Sequence, residues 1–165
     1  MSMLELQQAM ERGAVSSKEL TLSYMRRIAA FDKAGPRLNS VLEINPDALM
    51  IADAMDWERA RQGPRGPMHG IPVLLKDNIE TEDRMHTSAG AMALADSYAH
   101  RDAFVVRKLR EAGAVLLGKA NMSEMAKFVS EAMPNAYSSR GGIVRNPYGP
   151  GEFDVGGSSS GSAVA

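Results

Sequence analysis

The chain has 165 residues, of which 44% are hydrophobic and 24% are charged, and its formal net charge is −1. This composition is typical of one globular domain, or of part of a larger one, and not of a disordered chain. The balanced charge argues against nucleic acid or an anionic membrane as a partner. Because cysteine is absent, disulfides, thiolate metal sites and a cysteine nucleophile are excluded.

The N-terminal segment MSMLELQQAMER lacks the basic and apolar regions of a signal peptide. No apolar stretch approaches the ~20 residues that a helix needs to cross a bilayer. We therefore expect a cytoplasmic protein.

Residues 1–69 are predicted to be mainly helical. Ser16 and Glu19 have the spacing of a capping box, so a helix is expected to begin there and to end at Gly35-Pro36. A short strand is expected within residues 38–44, and a second helix from residue 47 towards residue 61. The apolar face of the first helix is predicted to be formed by Leu20, Tyr24, Ile28 and Phe31.

The next part of the chain has the pattern of a β-α-β unit. Apolar runs over residues 71–75 and 114–117 predict two buried strands. Between them, Asp102 is expected to cap a helix that ends at Gly113. A strand, a helix and a second apolar strand favour a parallel pair. The sequence therefore predicts an α/β fold with a helical N-terminal layer.

Lys76 is the first candidate for chemistry, because it directly follows the apolar run over residues 71–75. Burial at the end of a strand lowers the pKa of a lysine, and a neutral lysine can act as a general base. Its position alone favours a solvated surface lysine instead.

The second candidate is the run GGSSSGS over residues 156–162. A glycine-rich turn could hold a serine at the start of a helix, close to backbone N–H groups. Composition alone favours a flexible linker, but the flanking segments RNPY and EFDV are too specific for a spacer. The final SAVA is typical of the first turn of a helix, so a fragment of a longer protein is expected.

The remaining polar residues give no metal or triad pattern. His69, His86 and His100 are too far apart in the chain for a local metal pair, and solvated loop positions are expected for them. Asp77 is expected to be structural, accepting hydrogen bonds from nearby backbone.

Four segments of the chain resemble blocks of the amidase signature family. Residues 70–79, GIPVLLKDNI, resemble its lysine motif, and residues 113–124, GAVLLGKANMSE, resemble its second block. Residues 145–148 together with 156–163 resemble the opening of its serine-rich signature. The motifs stand in the family's order, and residues 3–69 fit more loosely. The peptide amidase branch of the family has a pattern similar to the succession of SSRGG, RNPY and GSSSGSA in this chain.

The resemblance implies a Ser–cis-Ser–Lys triad that hydrolyses carboxamide C–N bonds. By motif position Lys76 is the lysine and Ser158 the cis-serine, with a cis peptide between Gly157 and Ser158. The lysine deprotonates this bridging serine, which deprotonates a nucleophilic serine. Backbone N–H groups form the oxyanion hole, and the resemblance places Ala126, Gly157 and Ser159 at the oxyanion and substrate cleft. No metal or cofactor is implied.

The chain departs from the family pattern in one respect: it has no serine at the motif position of the nucleophile. The resemblance therefore implies a single partial amidase domain over residues 1–165, with a mainly helical region over 1–69 and the start of the core over 70–165. Such a chain is expected to be inactive alone. An unpaired sheet edge would favour self-association.

Two other functions remain open. One is the glutamyl-tRNA(Gln) amidotransferase, in which the polypeptide that shares this signature would need partner subunits and glutamine as ammonia donor. The other is a truncated, non-catalytic binding domain. For the amidase, the expected partner is a small-molecule or peptide amide, with no nucleic acid and no membrane.

Overall fold

A three-stranded mixed sheet lies between helices that pack on both of its faces. The computed structural model describes all residues from Met1 to Ala165. The strands are β1 (Val41–Ile44), β2 (Pro72–Lys76) and β3 (Val115–Ala120), in the order β1-β3-β2. β2 runs parallel to β3, and β1 runs antiparallel to it. A separate two-stranded hairpin pairs β4 (Tyr137–Ser138) with β5 (Gly142–Ile143).

Five α-helices surround the sheet. They are α1 (Met3–Glu11), α2 (Ser17–Arg27), α3 (Ala48–Gln62), α4 (Phe104–Glu111) and α5 (Ser160–Val164). α2 continues into a π-helical turn over Ile28–Lys33, and short 3₁₀ turns cover Met92–Leu94 and Glu124–Lys127. α4 lies between β2 and β3 in the chain, so the predicted parallel β-α-β unit is confirmed. No helix in the structure combines the length and the apolar character needed to cross a bilayer.

The core consists of three apolar clusters that join the helices to the sheet. Val115 and Leu117 of β3 pack against Ala48 and Ala52 of α3 on one face. On the other face, Leu116 packs with Val106 of α4, and Leu75 and Met85 complete that cluster. A third cluster joins α1 and α2 to the start of β2 through Leu6, Met10, Leu20 and Ile71. All six residues of β3 are buried, as expected for a central strand covered on both faces.

The predicted start of α2 is confirmed, and its apolar face is only partly buried. The Glu19 N–H donates to Ser16 Oγ at 3.0 Å, and the Ser16 N–H donates to the Glu19 carboxylate at 2.9 Å, which completes the capping box. Leu20 is buried, but Tyr24 and Phe31 remain 38% and 48% exposed. They line an open apolar groove of about 450 Å³, so part of the predicted stripe has no covering element.

Two sequence expectations on polar residues are wrong. Asp102 does not cap α4: Ala103 precedes the helix, and the Asp102 carboxylate instead accepts from the Glu82 N–H and pairs with Arg110. His69 is not solvated but fully buried, with Nε2 2.9 Å from the Met55 carbonyl oxygen. Both depend on tertiary contacts between segments that sequence periodicity does not relate.

Candidate active site

Lys76, the last residue of β2, meets the serine-rich loop in the folded chain. Its Nζ lies 2.8 Å from Ser158 Oγ and 2.8 Å from Ser159 Oγ. The position of Lys76 is set by the pairing of β2 with β3, in which Lys76 lies opposite Ala120, the last residue of β3. The parallel strand and the serine loop thus bring together two predicted site residues that are 82 positions apart.

The surroundings of Lys76 favour its neutral form. Its side chain is partly buried, and burial lowers the pKa of the ammonium group below its ordinary value because low dielectric disfavours the charged form. No carboxylate forms an ion pair with it. A lysine in this environment can accept a proton from a hydroxyl at hydrogen-bond distance.

Ser158 is held by its backbone as well as by Lys76. The peptide bond between Gly157 and Ser158 is cis, which is the arrangement that the resemblance implied. The Ser158 carbonyl oxygen accepts from the Ser123 N–H at 3.0 Å. Ser123 is fully buried, and its Oγ accepts from the Ala136 N–H at 2.9 Å, so the loop rests on a fixed support.

Glycine is required before Ser158 for a steric reason. A Cβ at Gly157 would lie 2.5 Å from Ser123 Oγ, closer than real Cβ contacts permit. Gly161, in the first turn of α5, is equally confined: its Cβ would lie 2.3 Å from the carbonyl oxygens of Asn121 and Ser40. The glycines of the serine-rich run therefore allow close backbone packing against the end of β3.

Ala126 lies in a backbone segment of unusual conformation. Met125, Ala126 and Lys127 all have positive φ, at 44°, 55° and 72°, a region that residues other than glycine rarely adopt. The Ala126 N–H donates to the Ser123 carbonyl at 3.0 Å and is therefore not free for a substrate oxygen. Ala126 makes no hydrogen bond with Lys76 or Ser158, and Ser123 connects it to the serine loop.

Three backbone N–H groups at the serine loop remain without partners. None of the hydrogen bonds within the chain uses the N–H of Gly157, Ser158 or Ser159. Free donors next to a reactive hydroxyl are the kind of group that stabilises a developing oxyanion. These residues, rather than Ala126, have donors available at the candidate site.

The structure also adds residues that sequence reasoning missed. Arg140 lies close to Asp77, the residue after Lys76, with Nη1 3.5 Å from a carboxylate oxygen. Its Nη2 pairs with Glu43 of β1 at 2.8 Å. Arg140 stands in the segment SSRGG, whose form was noted only as a similarity to the peptide amidase branch, so its contacts had no separate signal.

The histidines and acidic residues do not form a second centre. His86 pairs with Glu43 at 2.9 Å, and His69 is enclosed beneath α3. No group of three or more His, Cys, Asp or Glu side chains is arranged to hold a metal ion.

Comparison with known proteins gives matches along nearly the whole chain. The family model described as Amidase matches residues 19–165. A Schizosaccharomyces pombe protein named as an amidase is 46% identical over 161 residues, which cover 98% of this chain and 27% of the relative. A glutamyl-tRNA(Gln) amidotransferase polypeptide of Halorhodospira halophila is 44% identical over 164 residues, with 98% and 31% covered.

A solved structure matches the fold closely. The peptide amidase from Stenotrophomonas maltophilia superposes with a TM-score of 0.96 and is 50% identical, over 100% of this chain and 33% of that chain. The chain thus spans about a third of the length of the relatives that it matches.

Proposed function

Because this chain belongs to the amidase signature family, we propose that it carries the lysine and the bridging serine of a hydrolase that cleaves carboxamide C–N bonds. The observation that carries the proposal is the contact of Lys76 Nζ with Ser158 Oγ and Ser159 Oγ, at 2.8 Å each. The proposed substrate is a small-molecule or peptide amide, supported by the likeness to the peptide amidase. A cytoplasmic location, with no nucleic acid or membrane as partner, is part of the same proposal.

In the proposed mechanism, neutral Lys76 accepts the proton of the Ser158 hydroxyl. Ser158 in turn takes the proton of a nucleophilic serine, whose oxygen attacks the amide carbonyl carbon. The C–N bond breaks, and Lys76 returns the proton through Ser158 to the departing nitrogen. The attack leaves the acyl group bound to the nucleophilic serine as an ester, which water then hydrolyses. The unpartnered N–H groups at residues 157–159 are candidates for binding the carbonyl oxygen.

We further propose that the 165-residue chain alone does not form the acyl-enzyme. The hydroxyls in contact with Lys76 are those of Ser158 and Ser159, and neither stands at the family's motif position for the nucleophile. The relatives have about three times the length of this chain. In the proposed enzyme, the nucleophilic serine lies in a part of the polypeptide that corresponds to the unmatched region of the relatives.

The test is ammonia release from peptide amides by the gene product, including any sequence that the gene encodes after codon 165. Lys76→Ala should abolish turnover by removing the base. Ser158→Ala should lower kcat by about 10²–10⁴-fold, the usual contribution of a positioned proton-transfer group. Lys108→Ala and Ser162→Ala, at exposed positions, are the matched controls. Near-normal turnover of both site variants would refute the proposal.

The identity to glutamyl-tRNA(Gln) amidotransferase polypeptides favours one alternative. In that case the protein would release ammonia from glutamine and would purify with partner subunits. Glutamine as the sole substrate would favour the alternative, whereas hydrolysis of peptide amides by the isolated protein would favour the amidase. A non-catalytic binding domain would show neither activity in any variant.

A further inference from the structure

A buried ionic network begins at Asp77, the residue after Lys76, and does not include the serine loop. Asp77, the next residue, is fully buried. Its carboxylate accepts from the Ser88 hydroxyl and from the Gly90 N–H at 2.9 Å. The Asp77 N–H donates to the Ala120 carbonyl at 3.1 Å, which continues the pairing of β2 with β3 by one residue. The side chains of Lys76 and Asp77 contact different parts of the chain: Lys76 contacts Ser158 and Ser159, whereas Asp77 contacts Ser88 and Gly90.

Arg140 joins this carboxylate to three other parts of the chain. Its guanidinium contacts Asp77 at 3.5 Å, Ser88 Oγ at 3.1 Å and Glu43 of β1 at 2.8 Å. The backbone N–H of Arg140 donates to the Gly90 carbonyl oxygen at 3.0 Å. The side chain is only 14% exposed. One planar cation thus connects β1, the end of β2, the loop over residues 86–90 and the β4–β5 hairpin.

Arg140 is the only cation that touches Asp77. Lys119 is also buried nearby, but its Nζ donates to the Ile79 carbonyl at 2.7 Å and to Thr87 Oγ1 at 2.9 Å. His86 faces Glu43 rather than Asp77. A buried carboxylate that loses its charged partner is strongly destabilising locally. Arg140 therefore supplies the one opposite charge that stabilises the buried Asp77 carboxylate, beside its hydrogen bonds with Ser88 and Gly90.

We propose that Arg140 is a positioning residue for Lys76: by binding the Asp77 carboxylate, it fixes the end of β2 so that Lys76 Nζ stays in contact with Ser158 and Ser159. The inference rests on the proposed function of Lys76. Arg140 itself makes no contact with Lys76 or with the serine loop among the hydrogen bonds and ion pairs of the chain. Of the residues that Arg140 contacts, Asp77 is the one adjacent to Lys76 in the chain, and the proposed effect on the site passes through it.

The experiment measures the titration of Lys76 by NMR in the 165-residue chain carrying ¹³C-labelled lysine. The Lys76 signal is assigned by its loss in Lys76→Arg. In Arg140→Gln, the end of β2 loosens, water reaches Lys76, and the Asp77 charge loses its partner. Both changes favour the ammonium, so the titration midpoint should rise. At a pH below both midpoints, the neutral fraction of Lys76 should therefore be lower in Arg140→Gln than in the unchanged chain.

Two further variants test whether the effect passes through Asp77. Arg140→Lys keeps the charge but cannot form the two-armed contact, so it should give a smaller rise. Ser88→Ala removes the hydroxyl between Arg140 and Asp77 without changing the net charge, and it should also raise the midpoint. If Arg140→Gln does not fold, Ser88→Ala decides the question. An unchanged Lys76 midpoint in either folded variant would overturn the proposal.

Internal controls separate positioning from general loosening. Arg145 is an exposed arginine in the same region of the chain and forms no ion pair. Arg145→Gln should therefore leave the titration midpoint of Lys76 unchanged. Lys119 is unsuitable as a control, because the Arg140 charge itself contributes to the lowered pKa of Lys119.

Failure of this inference is distinguishable from failure of the proposed function. If the function is wrong, Lys76→Ala retains amidase activity in the active gene product. If only the inference is wrong, Lys76→Ala abolishes activity while Arg140→Gln leaves kcat and its pH profile unchanged. If both hold, Arg140→Gln shifts the alkaline rise of kcat to higher pH and Arg140→Lys partly restores it.

Discussion

Gly157 and Ser123 form the steric support of the serine that contacts Lys76. The Ser123 N–H binds the Ser158 carbonyl, and its Oγ occupies the space beside Gly157. Ser123 Oγ cannot move freely because the Ala136 N–H donates to it. Substitutions at these two positions therefore test how the site is built without altering any group that is proposed to transfer a proton.

We predict that Gly157→Ala destabilises the chain by about 1–3 kcal/mol, the usual effect of inserting a methyl group into a packed site. It should also displace Ser158 and change the Lys76 NMR signal. The measurement is urea unfolding followed by circular dichroism. Combining it with Ser123→Ala removes the atom that clashes, so the double variant should lose less stability than the sum of the single variants. Additive losses would contradict the clash.

At the level of elements, the central strand β3 contains a buried lysine. Lys119 is fully buried and has two oxygen acceptors for its ammonium group. Burial lowers the pKa of Lys119, while the nearby Asp77, Asp83 and Glu43 carboxylates oppose that shift. The central strand thus couples the stability of the sheet to pH.

We predict that the free energy of unfolding rises with pH in the alkaline range through Lys119. Its pKa is lower in the folded chain than the value of about 10.4 in an unfolded chain, so between these values the unfolded state binds more protons. The stabilisation is complete above the unfolded value and is lost as the pH falls through the folded value. Lys119→Met should flatten this rise in urea titrations, whereas Lys108→Met, at an exposed position, should not. Equal slopes for Lys119→Met and the unchanged chain would contradict it.

At the level of the whole molecule, the sheet has two unpaired edges and an uncovered apolar surface. β1 and β2 form the edges of the three-stranded sheet. The apolar groove beside them is lined by Tyr24, Phe31, Leu74 and Leu117, among others. Unpaired strand edges offer backbone groups to any other extended chain.

We predict that the 165-residue chain self-associates through a sheet edge. Sedimentation velocity should show a weight-average mass that increases with protein concentration. Amide hydrogens of β1 or β2 should become better protected from exchange at high concentration, while those of α4, on the opposite face from the groove, should not. A single sharp, reversible melt that is independent of concentration would contradict this prediction.

The sequence by itself determined the features that depend on neighbouring residues. The capping box at Ser16 and Glu19, the helices that follow it, and the β-α-β pattern were predictable because helix and strand periodicities are local. Motif position also selected Lys76 and Ser158, which the fold brings to 2.8 Å. Their catalytic roles stay a proposal, which the kinetics of the Lys76 and Ser158 variants test.

Only the tertiary structure decided what each side chain contacts. No spacing rule in the sequence joins Arg140 to Glu43, 97 positions away, or encloses His69 beneath α3. Periodicity identifies which face of a helix is apolar, but burial depends on whether another element covers that face. For this reason Leu20 is buried while Phe31, on the same predicted stripe, lines an open groove.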